Sequence, residues 1–556
     1  MVLSFLWNSL CLTSITTATT SPQPRAQPQQ HPDIEKVSQD SQSSRTYAES
    51  PRSIKFPHII FQEVNEFKAS EQEFLLTYPS YHSPLLDSIR HSEFNRLEHL
   101  TYLDYTGASL YPESLVRDSH KLLVSHVLGN PHSTNPSSQL ASYYTSKARD
   151  SVLEFFGADP NVYLVVWTAN ASTAMKIIGE GYPWSPHSRL FLGQDCHNSM
   201  NGLRTFARKN AAAVDYYTLT PNGGWNEIWS ILQRLSDLRP SFSETYPGIF
   251  CLTGQSNVTG YKAPLILLQH AASQGFHTFL DAAALAPSSK ISLSGSELNN
   301  CIDAMAISIY KIIGFPTGLG ALVVKKSFLQ RLKKPWFSGG TVDVVQVPGE
   351  AYTLEHGPER FEDGTINFLS MLTIPRGLSF ISILLPVLHP RLSCLVHWTI
   401  GALSDIKHRS TQKLLCHIRS PSSSLSLSEI SKSYGALVAF EVADASGNFI
   451  SCEAIEYGAG KAGICLRSGC MCNPGGTSSL SGMAYMMNGV SNGDTKDDLE
   501  ARFGIRSRGV IRASFGIASN FTDAWNLVVY MRSLAEPDGL KQLLEEWTYQ
   551  KLSRVH

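Results

Sequence analysis

The chain has 556 residues, too many for one simple core, so several domains or subdomains are expected. Its 42% hydrophobic and 17% charged residues are a globular composition, and a net charge of −1 excludes any electrostatic case for a nucleic-acid or acidic-substrate partner. Ten cysteines without regular spacing fit reduced thiols in a cytoplasmic protein better than a disulfide framework.

The opening run MVLSFLWNSLCL is apolar but too short to cross a bilayer, so no membrane association is expected. No Lys or Arg precedes Arg25, so the basic flank of a secretion signal is missing, and secretory targeting is the second reading behind a cytoplasmic one. Residues 13–53 are rich in Ser, Thr, Pro and Gln, and residues 1–57 are expected to form a disordered leader. A large domain with an N-terminal arm is expected over 58–375. There EFLLTYPSYHSPLLDSIRHSEFNRL reads as helical pieces interrupted by proline. NVYLVVWTA, SRLFLGQ, VDYYTL, YPGIFCLTG, FHTFLDAA, CIDAMAISIY and GALVVKK read as short buried strands, with helical stretches such as STAMKIIGEGYPW between them. That alternation predicts an α/β fold with a doubly wound, mostly parallel sheet, whose ligand sits beyond the carboxyl ends of the strands. A smaller C-terminal α/β domain is expected over 376–556. It opens with SFISILLPVLHPRLSCLVHWTIGALSDIKH, an apolar helical region broken by two prolines. GALVAFEVAD and GVIRASFG read as strands, and the tail from Glu536 reads as a surface helix.

Five clusters lie at strand ends. In TANASTAMK, Ser172 and Thr173 open a helix and fit either an anion site or a plain helix cap. His197, in GQDCHNSMNG, suits stacking on an aromatic ligand or a purely structural role. Asn257 precedes a glycine turn in LTGQSNVTGYK. Asp281, in FLDAAALAP, is placed to pair with a ring nitrogen or to cap the next helix. In SIYKIIGFPTGLG, Lys311 lies three residues after Ser308, between a strand and a glycine-rich turn. It is either a surface lysine or an amine that holds a carbonyl cofactor as a Schiff base.

Taken with LDYTGASLYP (103–112), GNPHS (129–133), FEDGTINFLS (361–370) and RSGCMCNPGG (467–476), these clusters resemble the class V aminotransferase group of fold-type-I pyridoxal-phosphate enzymes, cysteine desulfurases included. Within it they are most like the N-terminal domain of the molybdenum cofactor sulfurases, without that family's molybdopterin-handling domain. The resemblance runs from about residue 90 to 535. It implies pyridoxal 5′-phosphate held covalently by Lys311, with Asp281 on the pyridinium nitrogen, His197 over the ring and Asn257 near the ring hydroxyl or substrate. It implies phosphate contacts from Ser172, Thr173 and Ser308, and from Thr365 across a homodimer. Arg512, with Arg467 nearby, would take the substrate carboxylate. Cysteine desulfurases usually carry Gln or His three residues after the Asp; Ala284 stands there, so one hydrogen bond to the ring hydroxyl is missing or comes from elsewhere.

The pair Cys470 and Cys472 distinguishes sulfur transfer from transamination. No C-x2-C spacing appears, and no metal site is expected. By resemblance Cys472 accepts sulfur, and Cys470 is its neighbour and a candidate resolving thiol. Glycines beside the loop are expected to let it move, and the two arginines to bias the thiol toward thiolate. The implied reaction converts L-cysteine to alanine and leaves a Cys472 persulfide for an unspecified acceptor. The alternatives are a C–S lyase or aminotransferase-like enzyme of a biosynthetic pathway on the same scaffold, or a binding partner that has lost catalysis.

Overall fold

The computed structural model describes residues 64–220, 224–240 and 246–555, and the leader expected over 1–57 lies outside them. Seven runs of buried, largely β-branched or aromatic residues form one sheet: β1 (Tyr163–Thr168), β2 (Arg189–Gly193), β3 (Ala213–Tyr217), β4 (Gly248–Thr253), β5 (His277–Asp281), β6 (Ala304–Ser308) and β7 (Gly320–Lys325). The strand order is β1-β7-β6-β5-β4-β2-β3. Only β7 runs against its neighbours, β1 and β6; the other pairings are parallel. Every apolar run read as a strand in this region is one.

After β1 the chain enters helix α2 (Ala171–Gly181), numbered after α1 (Val64–Thr77). Its residues Ala174, Met175 and Ile178 pack on Val166, Leu192 and Leu322 of the sheet, in a core that is almost fully buried. After β6 comes the short helix α3 (Ile309–Ile313).

The C-terminal part holds a second, antiparallel sheet of β8 (Cys416–Ser420), β9 (Leu437–Val442), β10 (Arg467–Gly469) and β11 (Val510–Ser514), in the order β8-β9-β11-β10. The segment Thr101–Tyr102 pairs in parallel with Ile464–Cys465, and Asp104 bridges to Ser514. These contacts draw the LDYTG segment against β10 and β11.

The apolar region expected to be broken by prolines is instead one helix, α4 (Ile374–Ser404), with Pro386 and Pro390 inside it. An interior proline costs a helix about 3 kcal/mol. Burial outweighs that here, because Leu378, Ile381, Leu384, Leu388, Leu392 and Leu395 are all at most 3% exposed. By length and composition alone α4 is apolar enough to cross a membrane, but over half of its most apolar stretch is buried in the protein. Its Trp398 meets Phe74 of α1 and Phe521, the first residue of α5 (Phe521–Ala535).

Candidate active site

The carboxyl ends of β1, β2, β4, β5 and β6 converge, with the turn entering antiparallel β7, on a cavity of about 320 Å³. At one end is the start of α2. Asn170 caps it, its Oδ1 accepting the Thr173 N–H at 3.0 Å, and the Ala171 N–H donates to Ser308 Oγ at 3.1 Å. The Ser172 N–H has no acceptor among the described residues, and Ser172 lines the cavity. An unsatisfied amide at the positive end of an 11-residue helix, flanked by hydroxyls, is an anion site.

Lys311 also lines the cavity. Its turn closes with Gly314 at φ 76°, where a Cβ would lie 2.3 Å from the Tyr111 nitrogen. Glycine is therefore what lets the LDYTGASLYP segment pack directly on this turn. Among the described residues no side chain hydrogen-bonds the Lys311 amine. Burial pushes its pKa below that of an ordinary lysine; Asp281 opposes this, Arg512 and Arg467 add to it, and Cys472 opposes it. Asp281, at the end of β5, accepts the Ala283 N–H on Oδ1 at 3.0 Å, and its Oδ2 has no protein donor among the described residues. His197 lines the same cavity, and its Nδ1 accepts the Ser199 N–H at 3.1 Å. Burial lowers its pKa, with Asp281 opposing and Lys311 reinforcing, so the ring is neutral at neutral pH. Thr253 Oγ1 and Gln255 Oε1, on the same wall, are buried with no hydrogen-bond partner among the described residues. Such orphans mark a place built for a polar ligand.

Six of the expected residues thus share the cavity: Ser172, His197, Asn257, Asp281, Ser308 and Lys311. Ala284 lines it too, and puts no hydrogen-bonding side chain there. Thr173 does not line it; its hydroxyl turns back to Asn170 Oδ1 at 3.3 Å. Thr365 is exposed and accepts from Asn130 Nδ2 at 3.3 Å, away from this chain's own cavity. Arg512 and Arg467 are not on the wall either. Asp104 holds both, at 2.6 Å from Arg512 and 2.7 Å from Arg467, and Arg512 also donates to the Asn257 carbonyl at 2.7 Å. One carboxylate between two guanidiniums leaves a net charge of about +1 rather than +2, so the cationic pull on a nearby thiol is weaker than two free arginines would exert.

The cysteine loop differs from expectation as well. Cys472 is exposed and Cys470 half-buried, but the backbone between them is tied down. The Met471 carbonyl accepts from Asn257 Nδ2 at 2.8 Å and the Cys472 carbonyl from the Asn198 N–H at 2.7 Å. The glycines after it serve close packing: a Cβ at Gly475 would lie 2.2 Å from the Gln194 carbonyl. Sequence reading passed over Asn170, Asp104, Asp195 and Asn473. Each sits inside a quoted motif, but each acts through a partner distant in the chain, except Asn170, whose position just before a helix was the available signal.

Residues 101–527 match the family described as Aminotransferase class-V, over more than three quarters of the chain. The chain belongs to the aminotransferase class-V family. It is 30% identical over 501 residues to the molybdenum cofactor sulfurase of Solanum lycopersicum, covering 84% of this chain and 60% of that protein. It therefore spans about three fifths of that relative's length. The apo cysteine desulfurase of Thermococcus onnurineus NA1 superposes with a TM-score of 0.63 at 20% identity, covering 81% of this chain and 98% of that one. The cystine C–S lyase C-DES, in complex with its product cysteine persulfide, superposes with a TM-score of 0.57 at 16% identity, covering 79% and 99%. These likenesses show a fold-type-I architecture. As a class-V enzyme the chain uses pyridoxal 5′-phosphate, and the cavity fits that group. The free Ser172 N–H with the Ser172 and Ser308 hydroxyls would hold the phosphate, His197 and Asp281 the ring, and Lys311 the aldehyde carbon.

Proposed function

We propose that this class-V enzyme is a cysteine desulfurase-like sulfurtransferase of the molybdenum cofactor sulfurase type, converting L-cysteine to alanine with a persulfide on Cys472. The observation that carries it is the RSGCMCNPGG loop, docked beside His197, with the Cys472 carbonyl accepting the Asn198 N–H at 2.7 Å and the Met471 carbonyl accepting from Asn257, a residue of the cavity wall, at 2.8 Å. The bound cofactor supplies an electron sink for the substrate α-carbon. Lys311, its amine held toward the neutral form, takes the α-proton and returns one. The substrate carboxylate is assigned to Arg512, which lies behind the wall on Asp104 and the Asn257 carbonyl, so the carboxylate would compete with Asp104 for it. The cysteine Cβ–S bond breaks, Cβ keeps the electron pair and takes a proton, and an S–S bond forms to Cys472. The sulfur is oxidised by two electrons and Cβ reduced by two, so no outside oxidant is needed. The sulfur acceptor is left open, and the working form is a homodimer in which Thr365 of each protomer serves the other's phosphate site.

One observation favours a second reading. Cys472 is exposed and does not line the cavity, as suits a C–S lyase that needs no acceptor thiol. Incubation with pyridoxal phosphate and L-cysteine separates them. The desulfurase yields alanine and a persulfide on the Cys472 peptide, and Cys472→Ser abolishes both. Pyruvate and sulfide, formed equally by wild type and Cys472→Ser, would establish the lyase instead.

A further inference from the structure

Asp195 is a partly buried acid that the chemistry above does not use. It lies two residues before His197, in the loop after β2, and does not line the Lys311 cavity; it faces a separate small pocket with Tyr217, Ser256 and Tyr261. Its Oδ1 accepts from Asn473 Nδ2 at 2.5 Å and from the Ser256 hydroxyl at 2.8 Å, and its Oδ2 accepts from the Thr259 hydroxyl at 3.3 Å. Asn473 is fully buried and directly follows Cys472. Its Oδ1 caps the helix Pro474–Leu480 by accepting the Gly476 N–H at 3.0 Å, and its Nδ2 also reaches Asn257 Oδ1 at 3.0 Å. Asn257 in turn holds the Met471 carbonyl. Met471 and Cys472 both stand in the left-handed region, at φ 51° and 57°, which side chains other than glycine and asparagine adopt at a cost of about 1 kcal/mol or more each. Two successive residues stay there only when their surroundings over-determine them, and here three large-domain groups do so: Asp195, Asn198 and Asn257.

We propose that Asp195 is a positioning residue that fixes the acceptor loop through Asn473, so that Cys472 receives sulfur from a docked loop rather than from one that swings in. This rests on the desulfurase reading for its meaning, but not for its test. Burial raises the Asp195 carboxyl above the usual carboxylate range, and the hydrogen bonds from Asn473, Ser256 and Thr259 oppose that rise. An amide at the same place can serve as well: Asp195→Asn keeps an oxygen for Asn473 and Ser256, and the Thr259 hydroxyl can turn to accept.

The experiment compares the full chain with Asp195→Ala, Asp195→Asn and Asn473→Asp. The last retains the helix cap but sets a second carboxylate against Asp195, so it reports even if the alanine variant fails to fold. Amide hydrogen exchange is followed in peptides covering 195–201 and 470–477, the two sides of the clamp. Asp195→Ala and Asn473→Asp are expected to raise exchange in both peptides together by at least about tenfold, while Asp195→Asn stays near wild type. With cysteine, kcat for alanine should fall about tenfold or more in the first two variants with KM little changed, and recover in Asp195→Asn. Unchanged exchange in Asn473→Asp would overturn the proposal whatever the activity. Failure of the wild type to form alanine would overturn the desulfurase reading and leave the exchange result standing.

Discussion

At the scale of single residues the site is governed by charges taken out of water and then paired. Arg512 is 1% exposed, and Asp104 is its one carboxylate among the described residues. Removing one partner of a buried pair leaves the other uncompensated, at a cost of about 3–5 kcal/mol. Asp104→Asn should therefore lower stability by about 3 kcal/mol in denaturant titrations, whereas Arg467→Ala, whose side chain is half exposed, should cost under about 1 kcal/mol. Equal costs would mean that the cluster is not organised around Arg512. A second residue-scale expectation concerns pH. His277 packs on Phe328 and faces the Tyr182 hydroxyl at 3.0 Å, and burial pushes its pKa down to about 4. The unfolded chain binds a proton there below pH 6.5, while the folded chain binds none until about pH 4. Its contribution is thus complete above pH 6.5 and lost as pH falls toward 4, by up to roughly 3 kcal/mol. His389, also pushed down to about 4, acts in the same window and direction. Melting temperature should fall from pH 6.5 to 4, and His277→Gln should flatten part of that slope; an unchanged slope would remove His277 from the account.

At the scale of elements, legibility followed how local the determining physics is. The seven strands of the large sheet were readable because each is a short buried run that needs no knowledge of its neighbours. The N-terminus of α2 was readable as a helix start that fits either an anion site or a plain cap, although its actual cap, Asn170, was passed over for the hydroxyls after it. Asn170→Asp keeps a competent cap but sets a negative charge beside the phosphate position. It should leave the melting temperature within about 2 °C and weaken pyridoxal-phosphate binding by at least about tenfold in fluorescence titration; retained affinity would move the phosphate site elsewhere. Where the outcome is tertiary, the sequence misled. Prolines in α4 looked like breaks, and only the apolar surroundings of the folded helix show why they are not. Pro386 lies on the exposed side of α4, so Pro386→Ala should restore a backbone hydrogen bond without losing packing and stabilise by about 1–2 kcal/mol. A destabilised variant would show that the proline shapes the helix. The cysteine loop misled likewise: its glycines read as freedom, but the groups that hold it come from residues some 200–280 positions earlier in the chain.

At the scale of the whole molecule, the features least visible in the sequence are those that join distant segments. Asp104 connects the N-terminal segment to β10 and β11, and Glu362 does the same for the FEDGT segment. Glu362 is 5% exposed, takes both Arg149 amino groups at 2.7 and 2.8 Å, and accepts the Trp167 N–H of β1 at 2.6 Å. The segment carrying Thr365 is thereby anchored on the large sheet. Yet its neighbourhood presents apolar side chains outward: Trp336 is 65% exposed, Val344 60% and Val347 85%, the valines on or beside the hairpin of Val342–Val345 with Tyr352–Leu354. A firmly anchored surface of this kind fits burial against a second copy of the chain. The dimer proposed above then makes two separable predictions. Trp336→Glu with Val347→Glu should shift the mass measured by light scattering from two chains to one, and with it lower cofactor retention on gel filtration, because Thr365 would no longer reach the other phosphate site. Thr365→Ala alone should leave the mass at two chains and still weaken cofactor binding, by about tenfold for the loss of a hydrogen bond to a charged group. A wild-type chain that runs as a monomer with its cofactor fully retained would refute the dimer and assign the phosphate to groups of one chain alone.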